Sequence, residues 1–244
     1  MTDPDRARPA QQAHVLSAAL DRARQAAPRG VAVFDLDSTL IDNRPRQARI
    51  LQDYGRTAGV PELLDARPEH WKGWSLTDAL RALGLPPAEI ERHAGPARAF
   101  WREWFFTSAY CRLDVPVPGA PEYVRELLRA GATVAYVSGR PEGMVDGTRE
   151  TFRVHGFPLP DGARVHLHLK PRRELHDDDW KLEAITHVNR LGPAVLAFDN
   201  EPAHVNGYAE AWPEAMVVHL DRDHSDRPVE VRAGIPKVVD FVRG

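Results

Sequence analysis

Two aspartates, Asp35 and Asp37, stand immediately after the apolar run Val31-Ala32-Val33-Phe34. An isolated Asp-x-Asp is most often a solvated turn or a helix cap. Here two further apolar runs also end in polar groups, at Val137-Ser138-Gly139-Arg140 and at Phe198-Asp199-Asn200-Glu201-Pro202. If all three runs are strands of one parallel sheet, their loops meet at its carboxyl edge, where such sheets bind ligands. Asp35, Asp37 and Asp199 then form a cluster that repels itself unless a hard cation neutralises it. Oxygen donors without histidine or thiolate favour magnesium at the Asp35, Asp37 and Asp199 carboxylates. Ser138, followed by a glycine and an expected helix start, offers hydroxyl and amide donors suited to a phosphate.

Lysine is scarce: Lys72, Lys170, Lys181 and Lys237 are the only four among 32 basic residues. Two of them are candidates to offset phosphate charge. Lys170 ends an apolar run before Pro171, and Lys181 follows Asp177-Asp178-Asp179-Trp180 near an expected helix start. A cation in a first helical turn opposes the helix dipole, so Lys181 is the stronger candidate. His166 and His168 share a strand face with Lys170 and suit a solvated or cleft-facing edge strand better than a metal site, and His176 and His204 are read alike. Arg44, Arg46 and Arg49 fit a solvated helix face or the substrate entrance equally well.

The elements that must position these residues follow from periodicity. Helical spacing covers residues 10–27, 119–130, 142–155 and 178–191, the last with an apolar face of Leu182, Ile185 and Val188. Strands are expected at 31–34, 132–137, 164–169, 194–198 and 217–220, and a closing helix at 235–242. Strands alternating with helices predict an α/β fold: a doubly wound, Rossmann-like parallel sheet covered on both faces. From residue 43 to 115 the pattern changes to helices around 46–58, 75–83 and 87–109, with no strand. Trp71, Trp74, Trp101, Trp104, Phe105 and Phe106 fall there, and their spacing suits internal packing. The expected organisation is a catalytic core of residues 1–42 and 116–244, with a helical cap of residues 43–115 inserted after the first strand.

Composition narrows the function. A net charge of −3 argues against a general nucleic-acid coat. Cys111 is the only cysteine, which excludes an internal disulfide and a cysteine-built zinc site. The first eight residues lack the apolar centre of a secretion signal, no run reaches membrane-spanning length, and disorder is expected in the first few residues at most. A cytoplasmic protein without a membrane partner is the expectation.

The ordered set Asp35-Leu36-Asp37-Ser38-Thr39, Ser138, Lys181 and Asp199-Asn200 resembles the motifs of the haloacid-dehalogenase-like hydrolase superfamily, in particular its phosphatases. The resemblance spans roughly residues 30–43 and 116–220. It implies a doubly wound core with a cap inserted after the first strand, and a magnesium-dependent phosphatase. Asp35 would attack phosphorus and Asp37 would act as acid and then base. Asp35, Asp199 and the Asp37 carbonyl would hold the metal, with Asn200 nearby, and Ser138 and Lys181 would hold the transferring oxygens. Asn200 stands where the family carries a second acid, so weaker metal binding is expected. The stretch Ser138-Gly139-Arg140-Pro141-Glu142 with Thr148, His155-Gly156, Lys170 and Asp178-Asp179-x-Lys181 is similar to the phosphatase domains of polynucleotide-kinase-type repair enzymes. That similarity adds Gly139, Arg140 and Lys170 as substrate contacts and a 3′-phosphate as an alternative substrate.

A small phosphorylated molecule is the expected partner. The insertion carries 11 basic and 9 acidic residues between Asn43 and Asp114, too slight a surplus for tracking a polynucleotide. Carbon–halogen displacement has no use for Asp37 or a metal, and intact Asp35, Asp37 and Asp199 argue against a non-catalytic phospho-ligand binder.

Overall fold

The computed structural model describes residues 4–225 and 227–243, with side chains from Ala10 onward. Met1 to Asp3, where disorder is expected, lie outside the described residues. The chain opens with α1 (Pro4–Ala26) and β1 (Val31–Phe34), and β2 (Ile41–Asp42) leads into α2 (Arg44–Ala58), α3 (Leu76–Ala82), α4 (Pro87–Phe105) and α5 (Ser108–Cys111). β3 (Val115–Pro116) returns to α6 (Ala120–Arg129), β4 (Thr133–Pro141), α7 (Val145–His155) and β5 (Val165–Lys170). The chain continues with α8 (Asp177–Leu191), β6 (Ala194–Asp199), α9 (Pro202–Ala211), β7 (Met216–Leu220) and β8 (Lys237–Val238).

The six-stranded sheet runs β5-β4-β1-β6-β7-β8, with every neighbouring pair parallel. Its side chains alternate between two cores, as period two requires. Ala32, Phe34, Val134, Tyr136, Leu196 and Phe198 face one side with α1, α6 and Phe152 of α7. Val31, Val33, Ala135, Val137 and Ala197 face the other, against Trp180, Ala184 and Val188 of α8 and Val205 and Tyr208 of α9. Each fully buried large apolar side chain contributes roughly 1.5–3 kcal/mol, so helices are held on both faces.

A third apolar cluster is drawn from residues 48–101 and includes Leu51, Tyr54, Leu63, Trp71, Leu80 and Ala97. The chain enters and leaves this region through the antiparallel β2–β3 pair, with Ile41 opposite Pro116 and Asp42 opposite Val115. α2 stops at Gly59, whose φ of 69° is a left-handed conformation that a Cβ disfavours.

Three local expectations need correction. Residues 235–242 form β8 and turns in place of a closing helix: Pro236 lacks an amide donor, and Val238 is buried beside β7. β4 runs on to Pro141 with an irregularity after Ser138, so the helical stretch expected at 142–155 starts as a short 3-10 turn at Glu142 and not directly behind that serine. The buried stripe of α8 is Trp180, Lys181, Ala184 and Val188, while Leu182 faces outward. Lys181 is the fifth residue of α8 and so lies in its second turn. Among the described residues, no helix is long and apolar enough to cross a membrane.

Candidate active site

Asp35 extends β1 by one residue, its amide donating to the Phe198 carbonyl at 2.9 Å. Strand alternation carries the Asp35 side chain to the α8 face with Val31 and Val33, and Asp199 follows Ala197 to the same face. The lysine on the buried stripe of α8 meets both. Lys181 Nζ donates to Asp35 Oδ1 at 2.7 Å, Asp199 Oδ2 at 2.9 Å and the Val137 carbonyl at 2.8 Å. Burial raises the Asp35 carboxyl to about 6, with the Asp199 and Asp37 charges adding and Lys181 opposing. Burial would raise Asp199 as well, but Lys181 and His204 hold it far below the usual carboxylate range. The same two carboxylates keep Lys181 protonated despite its burial. Asp35 Oδ2 has no hydrogen-bond partner among the described residues, and Asp35 lines the cleft described below.

A tight loop turns the chain from Asp35 back into β2. The Leu36 carbonyl accepts from the amides of Thr39, Leu40 and Ile41 at 2.8–3.1 Å. Ser38 sits at φ 62°, a conformation uncommon outside glycine, and its backbone is fixed by donation to the Ile41 carbonyl at 2.7 Å. The loop presents Asp37 to two arginines. Asp37 Oδ1 accepts from Arg46 Nη2 at 2.6 Å, Arg140 Nη2 at 2.7 Å and Asn43 Nδ2 at 3.0 Å, and Oδ2 accepts from Arg140 Nε at 2.7 Å. Burial opposes ionisation here, but the Arg140 and Arg46 charges override it and hold Asp37 well below the usual carboxylate range. Buried Asp114 closes the group, 2.7 Å from Arg140 Nη2 and 3.0 Å from Arg46 Nε. Two carboxylates and two guanidiniums thus cancel each other's charge.

The remaining candidates separate. Ser138 is fully buried and its Oγ accepts from the Arg140 amide at 3.2 Å, so it braces the strand irregularity. Gly139 leaves room for Asp177, whose carboxylate would lie 2.8–3.0 Å from a Cβ placed there. Lys170 pairs with Asp177 at 2.5 Å, away from the Asp35–Lys181–Asp199 contacts. The Asn200 amide is committed at both ends, accepting from Thr39 Oγ1 at 3.1 Å and donating to the Asp223 carbonyl at 2.6 Å.

Several functional neighbours escaped sequence reasoning. Arg46, expected on a solvated face or at an entrance, is fully buried against Asp37 and Asp114. His204 bridges Asp178 (2.9 Å) and Asp199 (3.5 Å); burial works against its charge, yet Asp199 raises its pKa. Trp74 and Trp101 are not confined to packing; they line the cleft. The spacing of Arg44, Arg46 and Arg49 marks a helix but does not reveal which arginine turns inward. Asp35, Asp37, Ser138, Gly139, Arg140, Lys170, Lys181, Asp199 and Asn200 all border one cleft of about 590 Å³, within the usual size for a small-ligand site.

No protein-family model and no curated protein sequence matches the chain. Solved structures do. A haloacid-dehalogenase-superfamily hydrolase of subfamily IA from Geobacter sulfurreducens is 14% identical with a TM-score of 0.53, covering 89% of this chain and 94% of its own. A predicted phosphoglycolate phosphatase from Haemophilus somnus is 15% identical with a TM-score of 0.51, covering 87% and 94%. The protein tyrosine kinase A of Mycobacterium tuberculosis is 18% identical with a TM-score of 0.54, covering 88% and 95%. The chain therefore shares the fold of the haloacid-dehalogenase superfamily, and at these identities the likeness speaks for the fold alone.

Proposed function

We propose that this chain is a magnesium-dependent phosphomonoester hydrolase acting on a small phosphorylated molecule through an aspartyl-phosphate, with residues 43–115 as its cap. The observation that carries the reading is Asp35 itself. It extends the first strand and borders the cleft, and its carboxylate keeps one oxygen free of hydrogen-bond partners among the described residues and has Lys181 at 2.7 Å. At neutral pH a carboxyl near 6 is mostly ionised and therefore nucleophilic.

Asp35 would attack phosphorus in line, breaking the bond to the leaving oxygen, which would take the proton of the Asp37 carboxyl. Water would then attack the aspartyl-phosphate, its proton passing to Asp37, and inorganic phosphate would leave with Asp35 restored. Four hydrogen bonds favour the Asp37 carboxylate and so weaken it as a base. Protonating a leaving group first requires Arg46 or Arg140 to loosen its hold. Lys181, and Lys170 from the cleft wall, would offset charge on the transferring oxygens, with Ser138, Gly139 and Arg140 shaping the strand end.

The donor chemistry fits magnesium. Among the described residues one Asp35 carboxylate oxygen has no hydrogen-bond partner, and Asp199 shares the lysine contact of the other. The Asp35 and Asp199 carboxylates and the Asp37 carbonyl would hold the ion, with Asn200 acting from behind because its amide is already engaged. When bound, magnesium would supply further neutralisation of phosphoryl charge.

Hydrolysis of para-nitrophenyl phosphate tests the reading. Turnover should cease with EDTA and return with magnesium, and Asp199→Ala should weaken magnesium affinity more than Asn200→Ala. Full activity in metal-free buffer would remove magnesium from the mechanism, and no turnover in any buffer would remove the phosphatase reading. The 3′-phosphate alternative rests on the sequence similarity of the stretch from Ser138 through Lys170 to Lys181. An oligonucleotide strongly preferred over a mononucleoside 3′-phosphate, with the preference fading as salt rises, would promote it.

A further inference from the structure

The cleft has two chemically different sides. Charged groups form the floor at the strand ends, whereas the apolar lining is aromatic apart from Leu175: Trp74, Trp101, Phe105 and Phe106, all from the insertion. Trp101 and Phe105 stack with centroids 4.3 Å apart and planes 22° from parallel. Trp74 meets both nearly at right angles, at 83° and 79°. Phe106 stands edge-on to Phe105 and lies under the Arg173 guanidinium, 5.0 Å from its ring centroid. These rings make a corner with a stacked wall and a perpendicular wall.

Packing alone does not account for the corner. Trp71, three residues before Trp74, is 1% exposed inside the insertion's own cluster, as a packing tryptophan should be. Trp74 and Phe106 instead remain half-buried at the cleft, and Trp101, at the edge of that cluster, is half-buried there too. A flat ring can satisfy both walls at once, with one face stacked and one edge against a π-surface. An aliphatic or sugar group would leave that aromatic surface poorly covered.

We infer that the cleft selects phosphomonoesters carrying a flat aromatic ring, which Trp74, Trp101 and Phe106 grip while the phosphate lies toward Asp35 and Lys181. This rests on the proposed phosphatase reading and adds the substrate class. The ring could be a phenol or a nucleobase; both offer the same flat π-surface.

The test compares kcat/KM on phenyl phosphate, adenosine 3′-monophosphate and glycerol phosphate, alongside titration calorimetry of the same three with the Asp35→Asn protein. At least one aromatic ester should exceed glycerol phosphate by roughly tenfold or more, mainly through KM and Kd. Which aromatic ester leads distinguishes phenol from nucleobase. Trp101→Leu and Trp74→Leu should each shrink the aromatic-to-aliphatic ratio several-fold, whereas Trp101→Phe should keep most of it. Equal efficiency on all three esters overturns the inference, as does a loss in Trp101→Leu shared equally by all of them. If no ester is turned over, the phosphatase reading fails by itself. Calorimetry then decides the aromatic subsite: preferential binding of an aromatic ester upholds it, and equal or absent binding overturns it.

Discussion

Asp35 and Asp37 are the same residue type, two positions apart on one loop, yet their surroundings are opposite. Asp35 shares a single ammonium with Asp199 and keeps an oxygen unpartnered among the described residues, so burial dominates and its carboxyl rises to about 6. Asp37 receives four hydrogen bonds, three of them from guanidiniums, and its carboxyl is driven far down. The Asp35 side is built from the core alone, through β1, β6 and α8. On the Asp37 side, Arg46 arrives from α2 of the insertion and Asp114 from just before β3. The opposite shifts of the two carboxyls thus follow from how many cations reach each one.

The contrast breaks most sharply in turnover. Asp35→Asn should lower kcat by about 10³-fold or more, equivalent to about 4 kcal/mol of barrier, since an amide is no nucleophile. Asp37→Asn should cost roughly 10²-fold, the size of a lost proton-transfer group. Rates on para-nitrophenyl phosphate that fall in the reverse order would exchange the two roles.

Stability comes next. Lys181→Met would leave Asp35 and Asp199 buried with their shared cation gone, at a cost of about 3–5 kcal/mol in urea unfolding. A loss below about 1 kcal/mol would mean that the two carboxylates are already neutralised by other means. Arg46→Met should cost less, about 2 kcal/mol, because Arg140 still holds both Asp37 and Asp114. It also has a pH signature. The folded pKa of Asp37 lies below its ordinary 3.8, so its contribution is complete above that value and is lost as pH falls further. Removing Arg46 should therefore flatten the decline of stability below about pH 4, measured by urea midpoints across pH. Parallel wild-type and variant profiles would show that Arg46 leaves Asp37 electrostatically untouched.

The smallest effect concerns the loop that joins the two carboxylates. Ser38→Gly removes the Cβ at φ 62° and should stabilise the fold by about 0.5 kcal/mol after the glycine's greater unfolded-state entropy is set against it. A melting temperature lowered by this change would mean that the serine side chain matters more than the strained backbone.

The sequence by itself determined the parallel α/β core, because apolar runs alternating with helical stripes leave few other ways to bury both faces of a sheet. It also brought Asp35, Ser138 and Asp199 to one edge, since Asp35 and Asp199 stand at strand ends, Ser138 stands at the irregularity of β4, and parallel strands share a direction. Lys181 is legible as a cation just behind three acids, although it lies in the second turn of α8 and on a buried stripe rotated away from Leu182. Local pattern misled at residues 235–242, where pairing with β7 outweighed helical spacing. Only the tertiary structure decided which arginine of Arg44, Arg46 and Arg49 turns inward, that His204 rests on Asp199, and that Trp74 borders the cleft while Trp71 does not. Periodicity encodes which face of an element is buried; which distant residue waits there depends on the path of the insertion from β2 to β3, and no local spacing records that path.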